Sequence, residues 1–110
     1  MTYRLKLKKF EEYYTKVWHK LSRDKDLSLR AKGLHAFMCG FPDEWEFTTR
    51  KIADGLKEGR NVIMATLNEL IEHGYIEREK LRDKDQHVYY LYYIYPIKKT
   101  EFEKIHKQHD

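Results

Sequence analysis

The run TTRKIADGLKEGRNVIMATLNELIEHGYIERE, residues 48–79, constrains the fold more than any other part of the chain. Thr48 is a suitable N-cap, because its hydroxyl can satisfy a free amide at the start of a helix. Ile52, Ala53 and Leu56 then recur at helical spacing and predict one buried face. Lys57-Glu58-Gly59 breaks that helix. A second helix is expected from Arg60 to His73, with Ile63, Leu67, Leu70 and Ile71 in one arc at 100° per residue. Gly74 can take the left-handed conformation that closes a helix. YIEREKL then changes period from 3.6 to 2 and predicts a strand. Two helices joined by a tight turn at a glycine, with the small Ala53 at the crossing, have the spacing of a helix-turn-helix.

The flanks extend this pattern. DLSLRAKGLHAFMCGF predicts an earlier helix, with Ser28 as N-cap, an apolar face of Leu27, Ala31, Leu34, Met38 and Phe41, and a stop at Pro42. DEWEFT reads as a short extended link with Trp45 and Phe47 on one side. RDKDQ is a polar turn, and HVYYLYYIYP is a second strand ending at Pro96. YRLKLKK alternates from Tyr3, an extra N-terminal strand whose pattern extends through Tyr14 to Trp18. The expected fold is therefore α+β: a winged helix-turn-helix with a three-helix core, a C-terminal β-hairpin wing and that extra strand. Residues 1–13 form a basic strand or arm, 14–96 the winged-helix domain, and 97–110 a polar tail, expected to be loosely helical with Phe102 and Ile105 as its anchors.

Composition narrows the setting. A length of 110 residues fits one domain, and 41% hydrophobic with 15% aromatic is too much for a disordered chain. No apolar run approaches the roughly 18–20 residues of a membrane span. The N-terminus has basic residues without the apolar centre of a signal peptide. Cys39 is the only cysteine, so no internal disulfide forms, which fits a reducing cytoplasm. The net charge is +4, and residues 1–35 carry ten Lys/Arg against four Asp/Glu. Such an imbalance points to an anionic partner, nucleic acid first. Residues 60–87 carry five Lys/Arg against six Asp/Glu.

The helix from Arg60 has a polar front. Asn61, Ala65, Asn68, Glu69 and Glu72 fall opposite its apolar arc, with Arg60 and Met64 at the margin. Arginine donates two hydrogen bonds to guanine, and asparagine pairs bidentately with adenine. Ala65 allows close approach, Met64 suits a thymine methyl, and a helix N-terminus favours phosphate. The glutamates come late, where an inserted helix would be leaving the groove. The stretch has the character of a helix that reads the major groove, although any amphipathic third helix shares its outline.

LSLRAKGLHAFMCGFPDEWEFTTRKIADGLKEGRNVIMATLNELIEHGYIERE also resembles the winged-helix domain at the N-terminus of phage and plasmid replication initiators and replisome organisers of Gram-positive bacteria. The resemblance is carried by Leu27-Ser28-Leu29, Ala31-Lys32-Gly33-Leu34, Pro42-Asp43-Glu44-Trp45, Leu56-Lys57-Glu58-Gly59 and Leu67-Asn68-Glu69-Leu70 through Gly74-Tyr75, within residues 14–95. It implies sequence-specific binding of double-stranded DNA at a replication origin or operator. It further implies base reading by Arg60, Asn61, Met64 and Asn68, and phosphate contacts from Thr49, Arg50, Lys51 and Lys57. Arg82, Lys84 and His87 would act from the wing, against the weakening effect of Asp83 and Asp85. Such initiators carry a further domain after the winged helix, so a sequence ending at residue 110 is expected to be a fragment or a stand-alone relative.

The remaining features have quieter readings. Tyr90 and Tyr92 share one strand face, and Tyr89, Tyr93 and Tyr95 the other. One face is expected to pack on the helices, and the other to be covered by the N-terminal strand or by a second subunit in a homodimer. His35 and Cys39 are four apart on a helix, but zinc needs three or four ligands, so no metal is expected and Cys39 reads as a small buried hydrophobe. No phosphate-binding glycine loop or nucleophile–base pair appears, so neither an enzyme nor a cofactor is expected. The near-neutral charge of residues 60–87 keeps an alternative open, an adaptor that binds a host or replication protein without DNA.

Overall fold

A computed structural model describes residues 14–42 and 45–108. Its elements follow the order α1 (His19–Ser22), α2 (Leu29–Cys39), β1 (Phe47–Thr48), α3 (Thr49–Asp54), α4 (Arg60–Glu72), β2 (Ile76–Arg82), β3 (Val88–Ile94) and α5 (Lys99–Gln108). Among the described residues this is an α+β fold with five helices and one three-stranded antiparallel sheet, in the order β1-β3-β2.

The capping residues act as their chemistry suggests. The Ser28 hydroxyl accepts from the amide of Ala31 and begins α2, and the Thr48 hydroxyl accepts from Lys51 and begins α3. Helix α2 ends at Cys39 with Gly40 as its cap, earlier than Pro42 alone would require. Proline disfavours helical backbone in the residue before it, so Phe41 leaves the helix. Phe41 instead joins an aromatic cluster, edge-on to Phe37 and Phe47 and stacked on Trp45 at 5.4 Å. Helix α4 closes through Gly74, whose φ is +82°. The amide of Tyr75 bonds the carbonyl of Leu70 at 3.0 Å, and that of Gly74 bonds Ile71 at 3.1 Å. This paired closure needs a residue in the left-handed region at Gly74.

The core lies between the sheet and α2, α3 and α4. Leu21, Ala31, Leu34, Met38, Ile52, Ile63, Leu67, Leu70, Tyr75 and Tyr92 fill it. Phe47 of β1 stands opposite Tyr92 of β3, and both are buried. Three polar residues, Thr49, Thr66 and His35, are buried with them. Thr66 is buried with its hydroxyl donating to Val62 O one turn back, and His35 is buried with Nε2 2.8 Å from Tyr95 O. A carbonyl only accepts, so the His35 proton sits on Nε2 and leaves Nδ1 facing the Cys39 thiol at 3.5 Å. Burial holds the imidazole below its ordinary pKa and pushes up the thiol of Cys39, which is half buried rather than fully buried as expected.

The two ends of the chain depart from expectation. The strand and arm expected over residues 1–13 lie outside the described residues. Tyr14–Trp18 does not continue a strand; it leads into α1, where Leu21 is fully buried. The tail is held by more than Phe102 and Ile105. Ile97 is buried, Phe102 packs edge-on to Tyr95 at 5.6 Å, and Lys99 pairs with Glu77 at 2.6 Å, whereas Ile105 is exposed. No helix among the described residues is long and apolar enough to cross a membrane.

Candidate nucleic-acid interface

Helix α4 turns Ile63, Thr66, Leu67 and Leu70 inward and leaves Arg60, Asn61, Ala65, Asn68 and Glu72 exposed. Its N-cap is Gly59, which supplies no side-chain hydrogen bond. Helices α2 and α3 both carry a hydroxyl cap; α4, the helix with the polar front, does not. No acid lies in its first turn, where the Val62 amide bonds Gly59 O at 3.1 Å and Arg60 and Asn61 are exposed. Glu58, just before it, lines a cleft of about 250 Å³ with Arg30, Leu56 and Val62, on the side toward α2.

Glu69 does not share the polar front. Its carboxylate accepts from the Ser28 amide at 2.6 Å and the Ser28 hydroxyl at 2.7 Å, tying α4 to the start of α2. Those two donors hold the Glu69 carboxyl below the usual carboxylate range. Met64 is half buried, its sulfur 3.9 Å from the Tyr92 hydroxyl, so much of the side chain serves packing between α4 and β3. Asn68 is exposed, and its Oδ1 accepts from Arg78 Nη1 at 3.4 Å.

That contact joins α4 to the hairpin. In β2 and β3, Arg78 pairs with Tyr92, Lys80 with Tyr90 and Arg82 with Val88. These residues share one sheet face, because side chains alternate along a strand. Tyr92 packs under α4 on this face, so Arg78, Lys80 and Arg82 form an exposed basic row running outward from the helix. The Arg78 guanidinium also lies over the Tyr90 ring, 4.9 Å from its centroid. On the other face, Glu77 pairs with Tyr93, Glu79 with Leu91 and Leu81 with Tyr89. Glu77 accepts from Lys99 and from the Tyr95 hydroxyl, and Glu79 accepts from the Tyr93 hydroxyl. The acids of β2 thus point away from α4 and the bases toward it. Arg78 and Lys80 were not singled out in the sequence, although the alternation of EREKLR contains the signal.

The other expected contact residues are placed unequally. Arg50 and Lys57 are exposed. Lys51 is exposed but lies 5.5 Å from the Trp45 ring, with Nζ 3.5 Å from Glu46 O. Thr49 is a correction: it is buried, and its hydroxyl is 2.9 Å from the Tyr92 hydroxyl, so it has no side-chain oxygen to offer a phosphate. At the hairpin turn Lys84 is exposed, Arg82 Nη1 donates to Gln86 O, and His87 Nδ1 lies 3.4 Å from Asp83 Oδ2. Asp83, Asp85 and His87 bring potential metal-binding atoms within 4.8 Å of one another. Asp83 Oδ1 already accepts from the amides of Asp85 and His87, so this carboxylate also closes the turn.

The tyrosines divide as the strand period requires. Tyr92 is buried and Tyr90 half buried on the helix side, whereas Tyr89 and Tyr93 remain exposed on the other. Helix α5 meets that outer side at Tyr95, through Phe102. No family model, curated protein or solved structure matches this chain.

Proposed function

We propose that the protein binds double-stranded DNA sequence-specifically as a winged helix-turn-helix, with α4 as the reading helix and the β2–β3 hairpin as the wing. One observation carries this reading: the exposed polar front of α4 continues through Asn68 and Arg78 into the row Arg78, Lys80 and Arg82. A duplex presents base edges in its groove and phosphates along the rim, so a reading helix flanked by cations matches it. Arg60 and Asn61 contact base edges from the uncapped end of α4. Arg78, Lys80 and Arg82 fix the register on phosphate, with Arg50, Lys57 and Lys84 at the margins. The resemblance of residues 14–95 to replication initiators supplies the setting, a replication origin or operator of a phage or mobile element.

The alternative is a protein-interaction module. The outer sheet face supports it, since Tyr89 and Tyr93 are exposed there beside Glu77 and Glu79. The near-neutral charge of residues 60–87 no longer favours it, because that sum combines two unlike faces. Fluorescence anisotropy on a random duplex pool at rising salt separates the two readings. DNA binding predicts a log–log slope near −0.9 for each phosphate neutralised. No binding at low salt would overturn the proposal.

A further inference from the structure

We propose that the cleft between α2 and the start of α4 binds a free α-amino acid with an apolar side chain. The cleft has a volume of about 250 Å³, and the turn between α3 and α4 borders it through Leu56 and Glu58. Gly33 lines it from α2. A glycine inside a helix destabilises it relative to alanine, because glycine loses more backbone freedom on folding. A left-handed backbone or a close approach between helices would explain one there. Neither applies at Gly33. Among the described residues Gly74 is the glycine with positive φ, and a Cβ built on Gly33 would meet nothing within 4 Å beyond its own stretch of helix. The fold has no use for the open space above Gly33, and that space widens the cleft for an occupant from outside.

The cleft lies below the range of pockets that take drug-sized molecules, about 300–1,000 Å³, so it suits a smaller occupant. The side chains of its lining define the class. Leu34, Val62 and Ile63 add to Leu56 as apolar walls. Thr66 donates its hydroxyl proton to Val62 O and so has none to offer. At the rim, Arg30 of α2 and Glu58 of the turn are both exposed. Neither side chain makes a hydrogen bond or ion pair among the described residues, so a guanidinium and a carboxylate share one rim without pairing. An apolar amino acid has the complementary distribution: its carboxylate suits Arg30, its ammonium suits Glu58, and its side chain suits the walls. A fatty acid would set like charge against Glu58, and an apolar amine would do so against Arg30. Val62, Ile63 and Thr66 also form the back of the helix whose front carries Arg60, Asn61 and Ala65. An effector role at that helix rests on the duplex-binding reading above; the site itself does not.

The test is titration of the full chain with single L-amino acids, followed by backbone amide shifts in proton–nitrogen correlation spectra. Leucine, isoleucine or phenylalanine should saturate the shifts at Gly33 and Val62 on the order of 1 mM. Isocaproate, which lacks the ammonium of leucine, and isoamylamine, which lacks the carboxylate, should each bind about tenfold more weakly or worse. Arg30→Gln should erase the preference for leucine over isoamylamine, and Glu58→Gln the preference over isocaproate. Gly33→Leu should fill the cleft and abolish binding; if it fails to fold, the two rim variants carry the test. Gly33→Ala should melt about 3–6 °C above wild type. The proposal is overturned if none of the three amino acids shifts the spectrum at concentrations on the order of 10 mM. Undiminished binding by folded Gly33→Leu, or a Gly33→Ala protein less stable than wild type, would also overturn it. So would N-acetyl-leucine amide binding as tightly as leucine, which would assign the cleft to a side chain of a partner protein. Duplex anisotropy at saturating leucine is a separate arm, in which the effector role expects affinity to change about fivefold or more. An unchanged affinity removes that role and leaves the site, and a protein that binds no duplex overturns the earlier reading without touching the titration.

Discussion

The two faces of the β2–β3 hairpin come from the same short sequence and could hardly differ more. The face beside α4 carries Arg78, Lys80 and Arg82, and the opposite face carries Glu77 and Glu79 beneath exposed tyrosines. A sum over residues 60–87 conceals this, because alternation distributes near-cancelling charges to opposite sides of one sheet. Net charge describes a segment, whereas a partner meets a face. The acids are also partnered: Glu77 by Lys99 and Tyr95, Glu79 by Tyr93, and Glu69 by Ser28. The cations remain exposed on the side of α4.

The most direct way to break the comparison is to neutralise one face at a time. Changing Arg78, Lys80 and Arg82 together to glutamine should lower duplex affinity roughly 500-fold at about 0.1 M salt and flatten the log–log salt slope by about 2.7, if each neutralises one phosphate. Changing Glu77 and Glu79 to glutamine should leave affinity within about threefold. Anisotropy titrations measure both, and equal losses from the two faces would remove the distinction.

Single changes on α4 should have smaller effects. Arg60→Ala or Asn61→Ala is expected to cost about 1–3 kcal/mol of binding to a selected site and to relax specificity there. A loss that is the same on random and selected duplexes would assign these residues to phosphate instead.

Stability offers a matched pair of tyrosines. Tyr92→Phe removes the hydroxyl buried against Thr49 and should cost about 1 kcal/mol in denaturant unfolding. Tyr93→Phe removes an exposed hydroxyl on Glu79, and should change stability by less than about 0.5 kcal/mol.

The smallest effect is on acid sensitivity, and it belongs to the outer face. Hydrogen bonds from Lys99 and Tyr95 hold the Glu77 carboxyl below its ordinary value. A carboxyl depressed in the folded state contributes stability above its unfolded pKa, and that contribution is lost as pH falls through the folded value. Glu77→Gln should therefore show a shallower loss of stability on acidification than wild type, with the difference confined to the acid side of neutrality. An unchanged acid limb in thermal melts would mean that the Lys99 pair adds nothing.

Much of the architecture could be read directly from residues. Ser28, Thr48 and Gly74 mark helix boundaries through local chemistry that needs no distant partner, and the change of period after Gly74 announces the hairpin. Expectation failed where a residue's role depends on something far along the chain. Thr49 looks like an exposed helix start until Tyr92, 43 positions later, takes its hydroxyl. Glu69 looks like a surface acid until Ser28, 41 positions earlier, claims both oxygens. His35 looks polar and is buried, because Tyr95 O, 60 positions later, accepts its hydrogen bond.

The sequence by itself determined where α2, α3 and α4 begin and where α4 ends, and that Arg78, Lys80 and Arg82 oppose Glu77 and Glu79, because capping and strand period are local properties of the backbone. Only the tertiary structure decided that the basic face is the one bordering α4, and that Arg78 meets Asn68. Those outcomes depend on Tyr92 and Phe47 choosing the interior. Burial of apolar side chains sets which side of a sheet turns inward, and every charge along the strand follows.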